Sequence, residues 1–285
     1  MDIQVLGSMS VRVGGHSVAP SAPKPRQVLA LLALHADQMV PVSTLTEELW
    51  GHKPPRSART TLQTYVLQLR DLIGEALARE GKGREGAKDI LVTLPGGYRL
   101  ETGGGSVDFR DFERRAAAGF RAMDAEDYQG ATRKLREALA LWSGEGALAD
   151  IQAGSQITME VERLEEARLY ALDQRIEADL RLGRHRELVS ELTFLVHRHR
   201  THEGLHAQFM LALHRSGRRG EALRAYQRLH TALVGELGLE PSVPLQRLQR
   251  SIRTQSDTVD AGGPTASTGV RGVTPGPRVA AARVC

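Results

Sequence analysis

The sequence holds one cysteine in 285 residues, Cys285 at its very end. A lone thiol excludes an intramolecular disulfide and a cysteine-based metal site. No stretch approaches the roughly 20 apolar residues that cross a bilayer. The opening MDIQVLGSMSVRVGG has an acid at position 2 and no long apolar run, so it does not read as a signal peptide. A cytoplasmic protein with no membrane contact is the expectation. A surplus of one charge is missing as well, since 38 Lys+Arg stand against 34 Asp+Glu, a net of +4. Bulk charge therefore gives no argument for nucleic acid, and such a partner needs a localised surface.

Signatures of chemistry are equally scarce. GKGREG at 81–86 fits G-x-G-x-x-G, but it follows a helical pattern and precedes a strand, the reverse of a dinucleotide fingerprint. As a Walker loop it fails twice: Ala76 stands where the first Gly is required, and Gly83 replaces the Ser or Thr. His197, His199, His202, His206 and His214 crowd one region, and His202 and His206 have the i, i+4 spacing of some metal sites. No carboxylate or cysteine completes a shell, so a basic, solvated turn is expected and no metal. With no nucleophile–base pair or paired-acid motif, neither an enzyme nor a cofactor is expected.

What is present falls into three regions. The 41% hydrophobic content is enough to build cores, and the length leaves room for two domains and a tail. Short β-branched runs split by Gly14-Gly15 read as a small antiparallel sheet. KPRQVLALLALHA then reads as a buried helix, and VSTLTEELW as a second, with Ser43 as N-cap and Glu47 near the capping-box position. A third helix follows over 57–74, and GEALAREGKGREGAKD reads as a polar loop or frayed extension. ILVTLPGGYRLE reads as a hairpin turning at Pro95-Gly96-Gly97. From about residue 106 the pattern is helical. LRLGRHRELVSEL and LHRSGRRGEALRAY match at a spacing of 34, the tetratricopeptide period, so that Gly183 aligns with Gly217 and Glu187 with Glu221. AEDYQGATRKLREAL resembles a third copy, displaced by a 23-residue insertion that is mostly WSGEGALADIQAGSQI. Residues 256–285 are rich in Gly, Pro, Ser, Thr and Ala, lack aromatics, and read as a disordered tail.

The third helix, SARTTLQTYVLQLRDLIG, carries the functional signal. At 100° per residue, Ala58, Leu62, Tyr65, Val66, Leu69, Leu72 and Ile73 gather on one side. The other side carries Arg59, Thr60, Gln63, Thr64, Leu67 and Gln68, with Arg70 and Asp71 farther along. A solvated face is usually rich in Glu and Lys. Thr, Gln and an exposed Leu instead fit base edges, since Gln can bridge adenine and Thr or Leu can meet a thymine methyl.

The order of elements resembles the Streptomyces antibiotic regulatory protein family, an OmpR-type winged helix joined to a bacterial transcriptional activator domain. KPRQVLALLALHADQMVPVSTLTEELWG, ARTTLQTYVLQLR, TLPGGYRL, EALALWSG, RLEEARLYALDQRIEADLRLGRH and RSGRRGEALRAYQRLHTALVGELGLEPS carry the resemblance. It implies a mainly α fold with a small β component. Residues 1–105 form the winged helix-turn-helix (antiparallel sheet, three helices, wing hairpin), and 106–255 an all-α tetratricopeptide-like domain. It further implies a transcriptional activator of an antibiotic or other secondary-metabolite gene cluster. Such an activator binds direct repeats of promoter DNA near or over the −35 element as a homodimer. It recruits RNA polymerase holoenzyme through primary sigma factor region 4 and the α, β and β′ subunits, which places it at the nucleoid. Arg59, Thr60, Gln63, Thr64, Leu67 and Gln68 are the implied base-side residues. Lys24, Arg26, Arg56, Thr61, Arg70 and Thr93 are the implied phosphate contacts. The wing tip has no Arg. The rival reading is a repeat-type protein-interaction adaptor without sequence-specific DNA binding, and nothing in the sequence marks a ligand pocket.

Overall fold

The computed structural model describes residues 1–254 of the chain. The expected tail, 256–285, lies outside the described residues. The chain opens on an antiparallel sheet of β1 (Asp2–Gln4), β2 (Ser10–Val13) and β3 (His16–Ser17) in that order. Pairing Ile3 with Val11 turns both side chains inward, while Asp2, Gln4 and Arg12 point to solvent. A one-residue slip would reverse every one of these, so the apolar pattern fixes the register.

Three helices follow: α1 (Pro23–Leu34), α2 (Val42–Trp50) and α3 (Ala58–Arg79). Pro23 opens α1 where its missing N–H costs nothing. Between α1 and α2 runs a strand that the sequence patterns did not suggest, β4 (Met39–Pro41). It pairs with β6 (Gly97–Leu100), which also pairs with β5 (Leu91–Leu94), so the wing is a three-stranded sheet in the order β4-β6-β5. The two wing glycines act differently. Gly96 turns at φ +85°, whereas a Cβ on Gly97 would lie 2.5 Å from the Val40 carbonyl oxygen, so only glycine lets β4 approach.

The expected cap of α2 is corrected. Ser43 lies inside the helix and Pro41, with extended backbone, is the N-cap; no side chain caps this end. The chain enters α2 directly from β4, and the Val42 amide donates to the Gly96 carbonyl at 2.9 Å. The third helix also runs farther than its apolar pattern suggests, through Arg79, and the residues after it wind into a 3₁₀ turn over Arg84–Gly86 and a single helical turn, α4 (Ala87–Ile90).

Beyond residue 105 come α5 (Asp108–Asp124), α6 (Tyr128–Leu139), α7 (Ser155–Arg181), α8 (His185–Arg198), α9 (Glu203–Arg215) and α10 (Arg219–Ala232). A π turn over Leu233–Leu237 and α11 (Val243–Thr254) close the described chain. Gly183 and Gly217 end α7 and α9 at φ +77° and +81°, and the next helix of each pair begins two residues later. The displaced copy has Glu126 at the equivalent place, at φ +56°. The three turns therefore share one backbone conformation.

Packing does not stop at the 105/106 boundary. One buried cluster joins Ile3, Val11, Leu29, Leu62 and Leu100 to Phe112, Leu135, Trp142, Leu164 and Ala171. A second takes in Ile176, Leu192, Phe209, Leu229 and Ile252. Helix α7 is common to both, with Ile157, Leu164 and Ala171 in the first core and Ile176 and Leu180 in the second.

Candidate DNA-binding face

Helix α3 packs on α1 and α2 through Ala58, Leu62, Val66, Leu69 and Ile73, all buried, with Tyr65 and Leu72 half-buried at the edges. This is the apolar side drawn from the sequence. On the opposite side Arg59, Thr60, Gln63, Thr64, Leu67 and Gln68 are all exposed, Leu67 by 57%. These six base-side candidates thus share one solvent-facing surface on the second helix of a helix-turn-helix, reached from α2 through the loop 51–57. Thr64 Oγ1 bonds back to the Thr60 carbonyl at 3.1 Å, which leaves its methyl and a lone pair outward. Arg56, in the preceding loop, is exposed, Thr61 is half-buried, and no side chain caps the first turn of α3.

The remaining phosphate candidates, Lys24, Arg26, Arg70 and Thr93, are each bonded within the chain. Lys24 Nζ donates to the Leu49 carbonyl at 2.7 Å and to Gln27 Oε1 at 3.3 Å, so its charge sits at the C-terminus of α2. Arg26 pairs with Asp150 in the insertion. Arg70 donates through Nε and Nη2 to the Leu91 carbonyl at 3.0 and 2.7 Å, and through Nη2 to Thr93 Oγ1 at 2.7 Å. Arg70 and Thr93 therefore clamp α3 to the wing, and the reason is local: both stand where α3 crosses β5. Arg70 and Thr93 thus join α3 to β5, Lys24 joins α1 to α2, and Arg26 joins α1 to the insertion.

Sequence reasoning missed the groups that hold this scaffold to the helical region. Glu48, on α2 and 3% exposed, accepts from Gln27 Nε2 at 2.7 Å. It also accepts from the amides of Gly154 (2.6 Å), Gln156 (2.9 Å) and Ile157 (3.0 Å), the first turn of α7. A carboxylate from the helix-turn-helix thus caps the longest helix of the next region. A Cβ at Gly154 would lie 2.2 Å from the Glu48 carbonyl oxygen, so the approach requires glycine. Asp108, at the start of α5, accepts from the Val5 and Leu6 amides at 2.8 and 2.9 Å. Asp37, at φ +63°, accepts from Thr102 and from Arg110 Nη1. Burial pushes its carboxyl up, but the Thr102 and Arg110 bonds outweigh this and hold it below the usual carboxylate range. The insertion supplies much of the seam: the Ser143, Leu148 and Ala149 amides donate to the carbonyls of Leu6, Val5 and Gly7. The signal available was the insertion itself, which interrupts a repeat.

The histidine group resolves into separate parts. His202 Nδ1 accepts from the Leu205 amide at 3.1 Å and so caps α9. His206, one turn on, is buried. Among the described residues no three His, Cys, Asp or Glu side chains are grouped to hold a metal ion, and no helix is long and apolar enough to cross a membrane.

Comparison with known proteins agrees with this architecture. The family model for "Transcriptional regulatory protein, C terminal" matches residues 17–100, and that for "Bacterial transcriptional activator domain" matches 107–253. Regulatory protein DnrI of Streptomyces peucetius is 50% identical over 264 residues, 93% of this chain and 96% of that protein. Regulatory protein AfsR of Streptomyces coelicolor is 36% identical over 87% of this chain, which spans only 24% of AfsR. Among solved structures, Mycobacterium tuberculosis EmbR in complex with a low affinity phosphopeptide superposes with a TM-score of 0.78 at 32% identity, covering 89% of this chain and 65% of that one. These families and relatives are transcriptional regulators and not enzymes. The chain belongs to the Streptomyces antibiotic regulatory protein family of DNA-binding transcriptional activators, an OmpR-type winged helix joined to a bacterial transcriptional activator domain.

Proposed function

We propose that α3 enters the major groove of promoter DNA and reads it with Arg59, Thr60, Gln63, Thr64, Leu67 and Gln68. The carrying observation is that these six side chains are exposed together while the opposite side of α3 is buried. Gln63 and Gln68 each offer a donor and an acceptor suited to adenine, and Thr and Leu methyls suit thymine. Arg56 and Thr61 hold phosphates beside the uncapped start of α3, where amide dipoles favour an anion. Lys24, Arg26, Arg70 and Thr93 complete the phosphate contacts on this reading with the donors that their bonds within the chain leave over. The wing tip Pro95-Gly96 carries no charge, so the wing runs along backbone without minor-groove readout.

The activator works, on this reading, as a homodimer on direct repeats near or overlapping the −35 element of a secondary-metabolite gene cluster. Residues 1–105 read the DNA, and 106–255 with the remaining winged-helix surface hold polymerase carrying the primary sigma factor. Binding DNA and polymerase together raises the local concentration of each, so modest contacts suffice. Footprinting on promoters of the protein's own gene neighbourhood, with and without polymerase, tests it. Protection should cover direct repeats spaced by about one helical turn, and initiation should rise most at degenerate −35 elements. Tight operator binding that only blocks transcription would replace activation with repression.

A further inference from the structure

A cleft of about 920 Å³ opens between the C-terminal end of α8 and the outer side of α9 and α10. That volume lies within the range of about 300–1,000 Å³ usual for small-molecule sites. Its walls include the buried side chains of Val196 and Ala232. His206 lines it while only 3% exposed, and neither ring nitrogen has a hydrogen-bond partner of good geometry. The Arg200 and Val196 carbonyls are near the ring but poorly aligned, and a buried polar group so weakly satisfied is informative when it faces a cavity. Burial, followed by the nearby Arg228 charge, pushes His206 down to about 4, against the weaker pull of the Arg200 and Val196 carbonyls. At neutral pH the ring therefore offers one N–H donor and one acceptor.

Positive charge surrounds this neutral group. Arg224 and Arg228 lie four residues apart on one face of α10, where both act on the Glu221 carboxylate beyond ion-pair distance while Arg218 pairs with it directly. Arg200 stands at the same cleft, 3.3 Å from Glu236. Three guanidinium groups against one carboxylate leave the cleft cationic, which disfavours a metal ion or an amine. A phosphodiester strand would use the exposed arginines and leave His206 and the apolar walls unmatched.

We propose that this cleft binds a small organic anion, with an apolar body between Val196 and Ala232, a carboxylate, phosphate or sulfonate on Arg224 and Arg228, and a polar substituent reaching His206. The probe is 8-anilinonaphthalene-1-sulfonate, an apolar body with one anionic group, titrated into the full chain. One molecule should bind per chain with blue-shifted fluorescence, and the Arg224→Ala/Arg228→Ala double variant should weaken it at least tenfold. Arg228→Lys should retain most of the affinity. 2-Naphthoate should displace the probe, whereas the neutral 2-naphthylmethanol and inorganic phosphate should not. Titrating 2-naphthoate into wild-type protein should also move the His206 imidazole NMR signals, a readout independent of any variant's folding. Unchanged probe binding in the double variant overturns the proposal, as does displacement by the neutral compound equal to that by naphthoate. Displacement by phosphate alone at comparable concentration, or silent His206 signals, would overturn it too.

Discussion

The winged helix and the first repeat share one core, whereas the last two helix pairs build their own around Leu192, Phe209 and Leu229. The first region is joined by specific polar caps: Glu48 on α7, Asp108 on β1's exit, Asp37 on Arg110. The second is joined by apolar packing of successive helices around one buried cluster. A DNA-reading helix needs an exact angle, and buried polar contacts fix geometry more tightly than apolar stacking does. The repeats, which present surface, need only continuity. Helix α7 passes through both regimes, and Asp179 marks the crossing.

The largest expected effect lies at that crossing. Asp179 is fully buried and holds Arg136 (2.9 Å), Arg175 (3.3 Å) and Arg184 (2.7 Å), with Thr132 Oγ1 at 3.2 Å. Removing one partner from a buried ionic group typically costs about 3–5 kcal/mol. Asp179→Ala should therefore lower stability by that order in urea melts and split one transition into two, with the repeats melting first. A single transition of unchanged midpoint would erase the distinction between the two cores. The acid limb adds a check. Burial pushes this carboxyl up, but Arg184, Arg136 and Arg175 outweigh it and hold the group below its usual value. Its contribution is then full above about pH 4 and lost as pH falls through the lower folded value. The gap between wild type and variant should close only in strong acid.

Next in size is the seam. Glu48→Ala leaves three amides at the start of α7 without their acceptor, while Gln27 Nε2 keeps the Glu48 backbone carbonyl, a loss of about 3 kcal/mol if each buried donor costs about 1 kcal/mol. Operator affinity should fall as well, because α2 carries the cap and supports α3. Glu48→Gln, which keeps one acceptor oxygen, should fall between the two. If Glu48→Ala destabilised the protein while leaving hydrogen exchange in α2 and α3 untouched, the seam would not govern the reading helix.

Smaller, and confined to binding, is the exposed side of α3. Gln63→Ala or Thr64→Ala should weaken specific operator binding by about 1–3 kcal/mol with no change in melting temperature. Equal losses on operator and random DNA would move these residues to phosphate contact.

The fold was legible where one physical signal dominated. The apolar stripe of α3 dictated which side is buried, because a helix has one period and a core has one polarity. The matching turns at Gly183 and Gly217 were legible because both glycines answer the same backbone need. Helix caps that come from distant segments were not legible, since nothing near Glu48 in sequence marks it as different from Glu47. Nor was β4: Met39-Val40-Pro41 is too short to show alternation, and its partner Gly97 gives no sign that its missing Cβ admits another strand. The partners of Lys24, Arg26 and Arg70 within the chain were not legible either, because a cation's partner is invisible until the chain folds. The cleft at His206 belongs to the same class, being assembled from three helices of which none is unusual alone.

The smallest effect tests the repeat itself. Glu126 occupies the left-handed turn that glycine fills at 183 and 217, at φ +56°. An L-residue in that region costs about 1–2 kcal/mol, and glycine gives back part of any gain through its freer unfolded chain. Glu126→Gly should therefore raise stability by about 0.5–1 kcal/mol, while Gly183→Ala and Gly217→Ala should each lower it by a similar amount. The three positions carry the same backbone role in three copies, so the signs must oppose. Thermal melts of the three single variants decide it. A destabilising Glu126→Gly would mean that the turn between α5 and α6 is held by its side chain and is no longer a repeat turn. The displaced copy would then belong to the winged helix's core alone.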